Sequence, residues 1–145
     1  MKLFISTTIP SHYKKIMEGF DLKLFKALKP PLMSLDVERF DGCNVGDEVH
    51  LKVGFGPFRT KWISLITENQ ENDQETYFVD EGKLLPFPLK SWRHIHRVVK
   101  TDDKGSEIQD DIEYSTGLRA LDVLMYPVLY LQFAARKPVY KKFFS

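Results

Sequence analysis

The 145-residue chain has a single cysteine, Cys43, and so no internal disulfide. One thiol, in the turn-like stretch DGCNVGD, fits a reducing cytoplasm. No uncharged run reaches the ~20 residues of a membrane-spanning helix, so no stable membrane insertion is expected. The opening MKLFISTTIP has one lysine and a short apolar run ended by Pro10, without the h-region or small-residue cleavage site of a signal peptide. The 21 basic and 20 acidic residues leave a net charge of +1, with no basic surplus to suggest nucleic acid as a partner. There is no internal repeat and no low-complexity segment. GFGPF contains a GxG spacing, but no helix follows and no lysine holds a phosphate-loop position. It reads as a turn, and no cofactor is expected.

Aromatic residues, by contrast, are plentiful at 13%, with 11 phenylalanines, enough for a large aromatic core or an apolar ligand site. The length suits one domain, residues 1–145, with a single sizeable core. Residues 2–9 read as a strand. Pro10-Ser11 then opens a helix with Ser11 as N-cap and Tyr13, Ile16, Met17 and Phe20 as its buried stripe. A second short helix starts at Asp21, carries Leu24, Phe25 and Leu28 inward, and stops before Pro30.

Period two follows from Met33 through Phe55, in KWISLITEN and ETYFVDE, and in two final strands around DDKG. KWISLITEN is apolar on both faces, so its pattern alone does not orient it. From Leu118 the period is helical, with Leu121, Leu124, Met125, Val128, Leu129 and Gln132 as the apolar stripe. Pro127 is expected to kink or break that helix, and Pro138 to mark a second irregularity. The order is α+β: one strand, two short helices, about six meandering strands, then a long helix that covers the sheet.

SWRHIHRV, residues 91–98, holds two of the four histidines. In a strand, Trp92, His94, His96 and Val98 share one face and Arg93 and Arg97 the other. The arginines are the better solvent candidates, which turns the histidines inward. In the returning strand, Gln109, Asp111, Glu113 and Ser115 make a fully polar face, which leaves Ile108, Asp110, Ile112 and Tyr114 inside. A three-residue loop closing on a left-handed Gly105 puts His94 opposite Tyr114 and His96 opposite Ile112, with Asp110 diagonal to His96 at roughly 7–8 Å. The alternative register puts His96 directly opposite Asp110.

Three readings follow. A buried Asp met by a His on the next strand is a satisfied polar network. The same groups form the polar part of a mainly apolar ligand pocket. Two histidines at i, i+2 also suit acid–base chemistry, with His94, His96 and Asp110 as the catalytic group, or a metal with Asp80 or Asp110 as third ligand. No further His- or Cys-rich motif accompanies them, so no metal is expected. Asp80-Glu81 also read as an ordinary solvated strand end before Gly82, and Arg136, Lys137, Lys141 and Lys142 as a basic, solvated helix end.

The chain resembles the SRPBCC (START-like) superfamily, and within it a bacterial branch of ligand-binding proteins. The resemblance rests on the Trp62 strand, on Phe78-Val79-Asp80, on the run from Pro88 through Trp92, His94 and His96, on Asp110 with Tyr114, and on LQFAARKPVYKKF. It spans nearly the whole chain. It implies a helix-grip fold, a curved antiparallel sheet of about seven strands wrapped around a long C-terminal helix. It also implies a cavity between sheet and helix for a small hydrophobic or amphipathic molecule. Trp62, Phe78, Trp92 and Tyr114 would then supply apolar wall, and Asp80, His94, His96 and Asp110 the polar anchor. The branch often has Gly before the Pro of the preceding loop; here the residue is Phe87, which would loosen the loop or narrow the entrance. The alternative is a cyclase, dehydratase or hydrolase using His96 as a base oriented by Asp110.

Overall fold

The computed structural model describes residues 1–31, 33–102 and 104–144. The first strand, β1, runs Lys2–Ile9, and the two short helices follow as α1, Tyr13–Glu18, and α2, Leu22–Ala27. The N-cap of α1 is His12 rather than the expected Ser11: its Nδ1 accepts from Lys14 N at 3.3 Å, while the Ser11 hydroxyl donates to Phe144 O at 3.2 Å. Asp21 caps α2 by accepting from Leu24 N at 3.0 Å.

Six strands then meander: β2 Ser34–Phe40, β3 Glu48–Phe55, β4 Phe58–Glu71, β5 Glu75–Leu84, β6 Ser91–Lys100 and β7 Ser106–Ser115. They form one seven-stranded antiparallel sheet in the order β1-β7-β6-β5-β4-β3-β2, so β1 crosses over to pair with the last strand. The β3–β4 hairpin turns at Gly56-Pro57. Gly56 has φ +58°, a conformation that costs a residue with a Cβ. One face of the sheet buries Leu3, Ile5 and Ile9 of β1, Val49, Leu51 and Val53 of β3, and Ile108, Ile112 and Tyr114 of β7. β4, ambiguous in sequence, turns Ser64 and Ile66 to that face.

The chain closes with α3, Arg119–Ala134, and α4, Arg136–Phe143. The single long helix of the sequence reading is therefore two helical segments meeting at Ala135. Unlike expectation, α3 runs through Pro127 without a break. Pro127 cannot bond the Val123 carbonyl, but both residues are exposed, so that oxygen is open to solvent rather than buried without a partner. Pro138 is the third residue of α4, where an N–H would have no helical partner anyway.

The inward face of α3 also differs from the predicted stripe. Leu124 is 71% and Val128 55% exposed, while Asp122, Leu129 and Phe133 are buried. Polar contacts set this rotation. The Asp122 carboxylate accepts from Thr116 N at 2.7 Å and Thr116 Oγ1 at 2.6 Å, and its carbonyl accepts from Tyr114 OH at 2.6 Å. A hydrophobic count assigns Asp122 to solvent and so rotates the helix the wrong way.

Candidate ligand site

The buried side chains fall into three clusters. One joins β1, β6, β7 and α3 through Leu3, Trp92, Ile112, Leu129 and Phe133; a second joins α1, α2 and α4 to β6 and β7; a third is Val49, Leu51 and Val53 with their neighbours. A cavity of about 150 Å³, partly open to solvent, lies among them. The strands contribute Leu51, Trp62, Phe78 and Trp92 to its wall, α2 contributes Leu24 and Phe25, and α3 contributes Leu129 and Phe133. Trp62 and Trp92 meet edge to face with ring centres 4.9 Å apart.

Asp80, His94, His96 and Arg136 also line the cavity. As the sequence indicated, the even-numbered face of β6 points inward. Arg93 and Arg97 point out, where Arg97 approaches Glu75 at 3.3 Å and Asp111 at 3.6 Å. The β6–β7 register is the alternative one: His96 lies opposite Asp110 and His94 opposite Ile112. Lys100 pairs with Ser106, so the connection is longer than three residues, and Gly105 is not left-handed. Asp103 of the DDKG turn lies outside the described residues. Asp80 is not at a strand end, since β5 continues to Leu84.

Across β5, Asp80 lies opposite His94. The hydrogen bonds nevertheless run diagonally. His94 Nε2 donates to Asp110 Oδ1 at 2.9 Å, and His96 Nε2 donates to Asp80 Oδ2. Each histidine thus bypasses the acid directly across from it. The rings can do this because they stack, His94 on His96 with centres 3.6 Å apart and His96 on Phe78 at 4.3 Å. The His96–Asp110 pair expected from the sequence is therefore not a hydrogen-bonded one.

Arg136, which the sequence reading placed on a solvated helix end, and Tyr140, which it did not single out, complete the cluster. Arg136 Nη1 donates to Asp110 Oδ1 at 3.5 Å and its guanidinium lies 4.4 Å from the Phe133 ring centre. Tyr140 OH donates to Asp110 Oδ2 at 3.3 Å. Arg136 and Tyr140 are one helical turn apart, and that i, i+4 spacing facing a buried acid was the available signal. Asp110 and Tyr114 do not line the cavity: Asp110 lies behind His94, and Tyr114 is wholly buried against α3. Phe87 is 96% exposed and is not on the cavity wall, so it does not narrow it. Tyr114→Phe is expected to cost about 1 kcal/mol, the worth of one hydrogen bond, read as a lower urea midpoint at unchanged slope.

Burial drives the Asp80 and Asp110 carboxyls upward. At Asp80 the bond and charge of His96, with His94 and a bond from Ser64, together outweigh it, and at Asp110 the bond from His94, the Arg136 charge and the two histidines together do, so both finish below the usual range. Burial, then the neighbouring His94, pushes His96 down to about 4 against the pull of Asp80 and Asp110. His96 is therefore neutral in the folded protein at pH 7. The Cys43 thiol, also on the wall, is raised to about 12 by burial and nearby carboxylates and stays protonated.

These shifts make folding pH-dependent. Between pH 6.5 and about 4 the unfolded chain protonates His96 and the folded chain does not, so stability falls as pH falls. The loss is on the order of 3 kcal/mol by pH 4. The depressed carboxyls of Asp80 and Asp110 add a further loss below their unfolded pKa values. Urea midpoints at pH 7.5, 5 and 4 measure this; a flat profile between 7.5 and 5 would show that folded His96 takes up the proton.

Asp80, His94 and His96 each bring a donor atom within 4.8 Å of the others, the set that could hold a metal ion. The fit is poor. An ion on His96 Nε2 must break its bond to Asp80, would leave the opposite ring N–H without an acceptor, and would share the cavity with the Arg136 cation.

No protein-family model matches the chain, and no curated protein matches it in sequence. Solved structures do. Norcoclaurine synthase of Thalictrum flavum, in complex with dopamine and hydroxybenzaldehyde, is 15% identical, with 96% of this chain and 86% of that one covered and a TM-score of 0.62. A protein of Chromobacterium violaceum is 14% identical, with coverage of 92% and 89% and a TM-score of 0.66. Ara h 8.0201 is 11% identical, with 97% of both chains covered and a TM-score of 0.60. At such identities the likeness is one of backbone architecture: the chain has the helix-grip fold that these proteins share.

Proposed function

We propose that the protein binds a small hydrophobic or amphipathic molecule in the cavity between the sheet and the C-terminal helices. The observation that carries this reading is a mainly apolar, aromatic-walled chamber of about 150 Å³ that also has Asp80, His94, His96 and Arg136 on its wall. A dry cavity of roughly that size holds a benzene ring in other proteins. A structure of the same fold holds two small aromatic molecules, dopamine and hydroxybenzaldehyde. Trp62, Phe78, Trp92 and Phe133 supply the apolar wall, His94, His96 and Asp80 face the ligand, and Asp110 and Tyr114 act from behind.

An NMR titration of the purified chain with toluene tests it. Saturable shifts confined to cavity residues such as Leu51, Trp62 and Phe133 are expected. Absence of saturable shifts there, with no small molecule retained in native mass spectra, would remove the reading.

A further inference from the structure

We infer that the protein docks on the surface of an anionic lipid bilayer through its helical side, with the outward face of α3 lying in the plane of the interface. Among the described residues, six of the thirteen exposed large hydrophobic side chains fall within residues 118–131. Leu124, Val128 and Leu131 follow one another at spacings of four and three, so they share one face of α3, and the last is 69% exposed. Val123 and Pro127 are exposed beside them. The one acid of α3, Asp122, is buried, and no charged residue follows it before Arg136. α3 is therefore apolar on the side it shows to solvent as well as on the side it buries. A helix apolar all round is covered on both sides where it works.

Charge selects what covers it. All four helices pack on the inward face of the sheet. The helices and their connections, residues 10–31 and 116–145, carry 10 basic residues and 3 acids, a balance of +7. The strands and hairpins, residues 1–9 and 32–115, carry 11 and 17, a balance of −6. Setting aside the inward Asp80 and Asp110 still leaves the sheet side acidic. A chain of net charge +1 is thus strongly polarised, with its helices at the positive end. The apolar face also runs on into a basic one. Ala135, between α3 and α4, keeps helical dihedrals of φ −65° and ψ −15°. Pro138, seven residues on from Leu131, stays on the same side, bordered by Lys141 and Lys142, and all three are exposed.

A bilayer carrying anionic headgroups meets both features at once, the leucines at the acyl boundary and the lysines at the phosphates. A second copy of the chain would cover the leucines only by bringing two strongly positive sides together. A nucleic acid would match the charge and leave the leucines against phosphates. No helix among the described residues is long and apolar enough to cross a membrane, so the contact is with the surface. The other side of α3 puts Leu129 and Phe133 on the cavity wall, so the docked helix would lie between the bilayer and the chamber. Docking does not require the chamber to be occupied.

Sedimentation of the purified chain with phosphatidylcholine vesicles, with and without phosphatidylglycerol, tests this. Binding to the phosphatidylglycerol vesicles is expected to be at least about tenfold tighter than to the plain ones, and weaker in high salt. Leu124→Gln with Leu131→Gln should weaken it about tenfold. Lys137→Gln with Lys141→Gln should weaken it by about tenfold or more. All four side chains are exposed, so urea midpoints should not move. Lys61→Gln, next to the inward Trp62 on β4 and facing the other way, should leave binding unchanged. Absence of binding to phosphatidylglycerol vesicles overturns the inference. So does binding that the lysine pair weakens and the leucine pair does not, which is adsorption by charge alone. A dimer in sedimentation velocity that the leucine pair dissociates, without vesicle binding, would assign the face to a second copy instead.

Discussion

Asp110→Ala is expected to cost about 3–5 kcal/mol of folding free energy, a large share of the ~5–15 kcal/mol that holds a domain together. Three donors converge on this carboxylate: His94 Nε2 at 2.9 Å, Tyr140 OH at 3.3 Å and Arg136 Nη1 at 3.5 Å. Asp110 is 1% exposed, so water cannot take its place without opening the core. Alanine would leave the Arg136 guanidinium buried without its counter-charge and His94 without its acceptor. The measurement is a urea unfolding curve, with a lowered midpoint and an unchanged slope. Asp111→Ala is the control, since Asp111 faces outward, with its carboxylate 3.6 Å from Arg97 Nη1. It should stay within about 0.5 kcal/mol. Equal costs at the two positions would show that the inner cluster is not what fastens α4 to the sheet.

Leu51→Trp is expected to abolish ligand binding by at least tenfold while changing stability by no more than about 1 kcal/mol. Leu51 lies opposite Trp62 on the neighbouring strand and faces the cavity. In a filled core an indole in place of an isobutyl group forces its neighbours aside, at a cost of about 1–3 kcal/mol. Here the chamber itself accepts the ring. Lys52→Trp, one residue on and facing the other way, should leave binding unchanged. Toluene affinity by calorimetry together with urea midpoints checks both halves: a strong destabilisation at Leu51 would mean the space is not there.

The sheet and its inward face were legible because period two leaves little freedom. Once Arg93 and Arg97 are placed in water, Trp92, His94 and His96 have nowhere to go but inside. That Asp110 would lie near His96 followed from the same alternation. Which acid each histidine bonds did not, because both acids are within reach and the choice depends on how the stacked rings tilt. The rotation of α3 was misread because Asp122 faces inward to serve Thr116, and polar anchoring leaves no mark in a hydrophobic period. Arg136 was read as part of a basic tail because neighbouring lysines share its charge; its i, i+4 spacing to Tyr140 and the position of α4 over Asp110 separate it from them. The cavity has no sequence signature of its own. It exists where three packed clusters fail to meet, a matter of distances between α2, α3 and the strands.

A crystal structure of the protein equilibrated with bromobenzene tests the account most directly. The bromine scatters anomalously, so its position is found independently of how the cavity is built. A bromine peak within the chamber, in contact with Trp62 and Phe133, is the predicted result. A chamber without that peak, or one closed by inward movement of the Trp92 and Phe133 side chains, would contradict the claim that this fold keeps a space for an apolar ring.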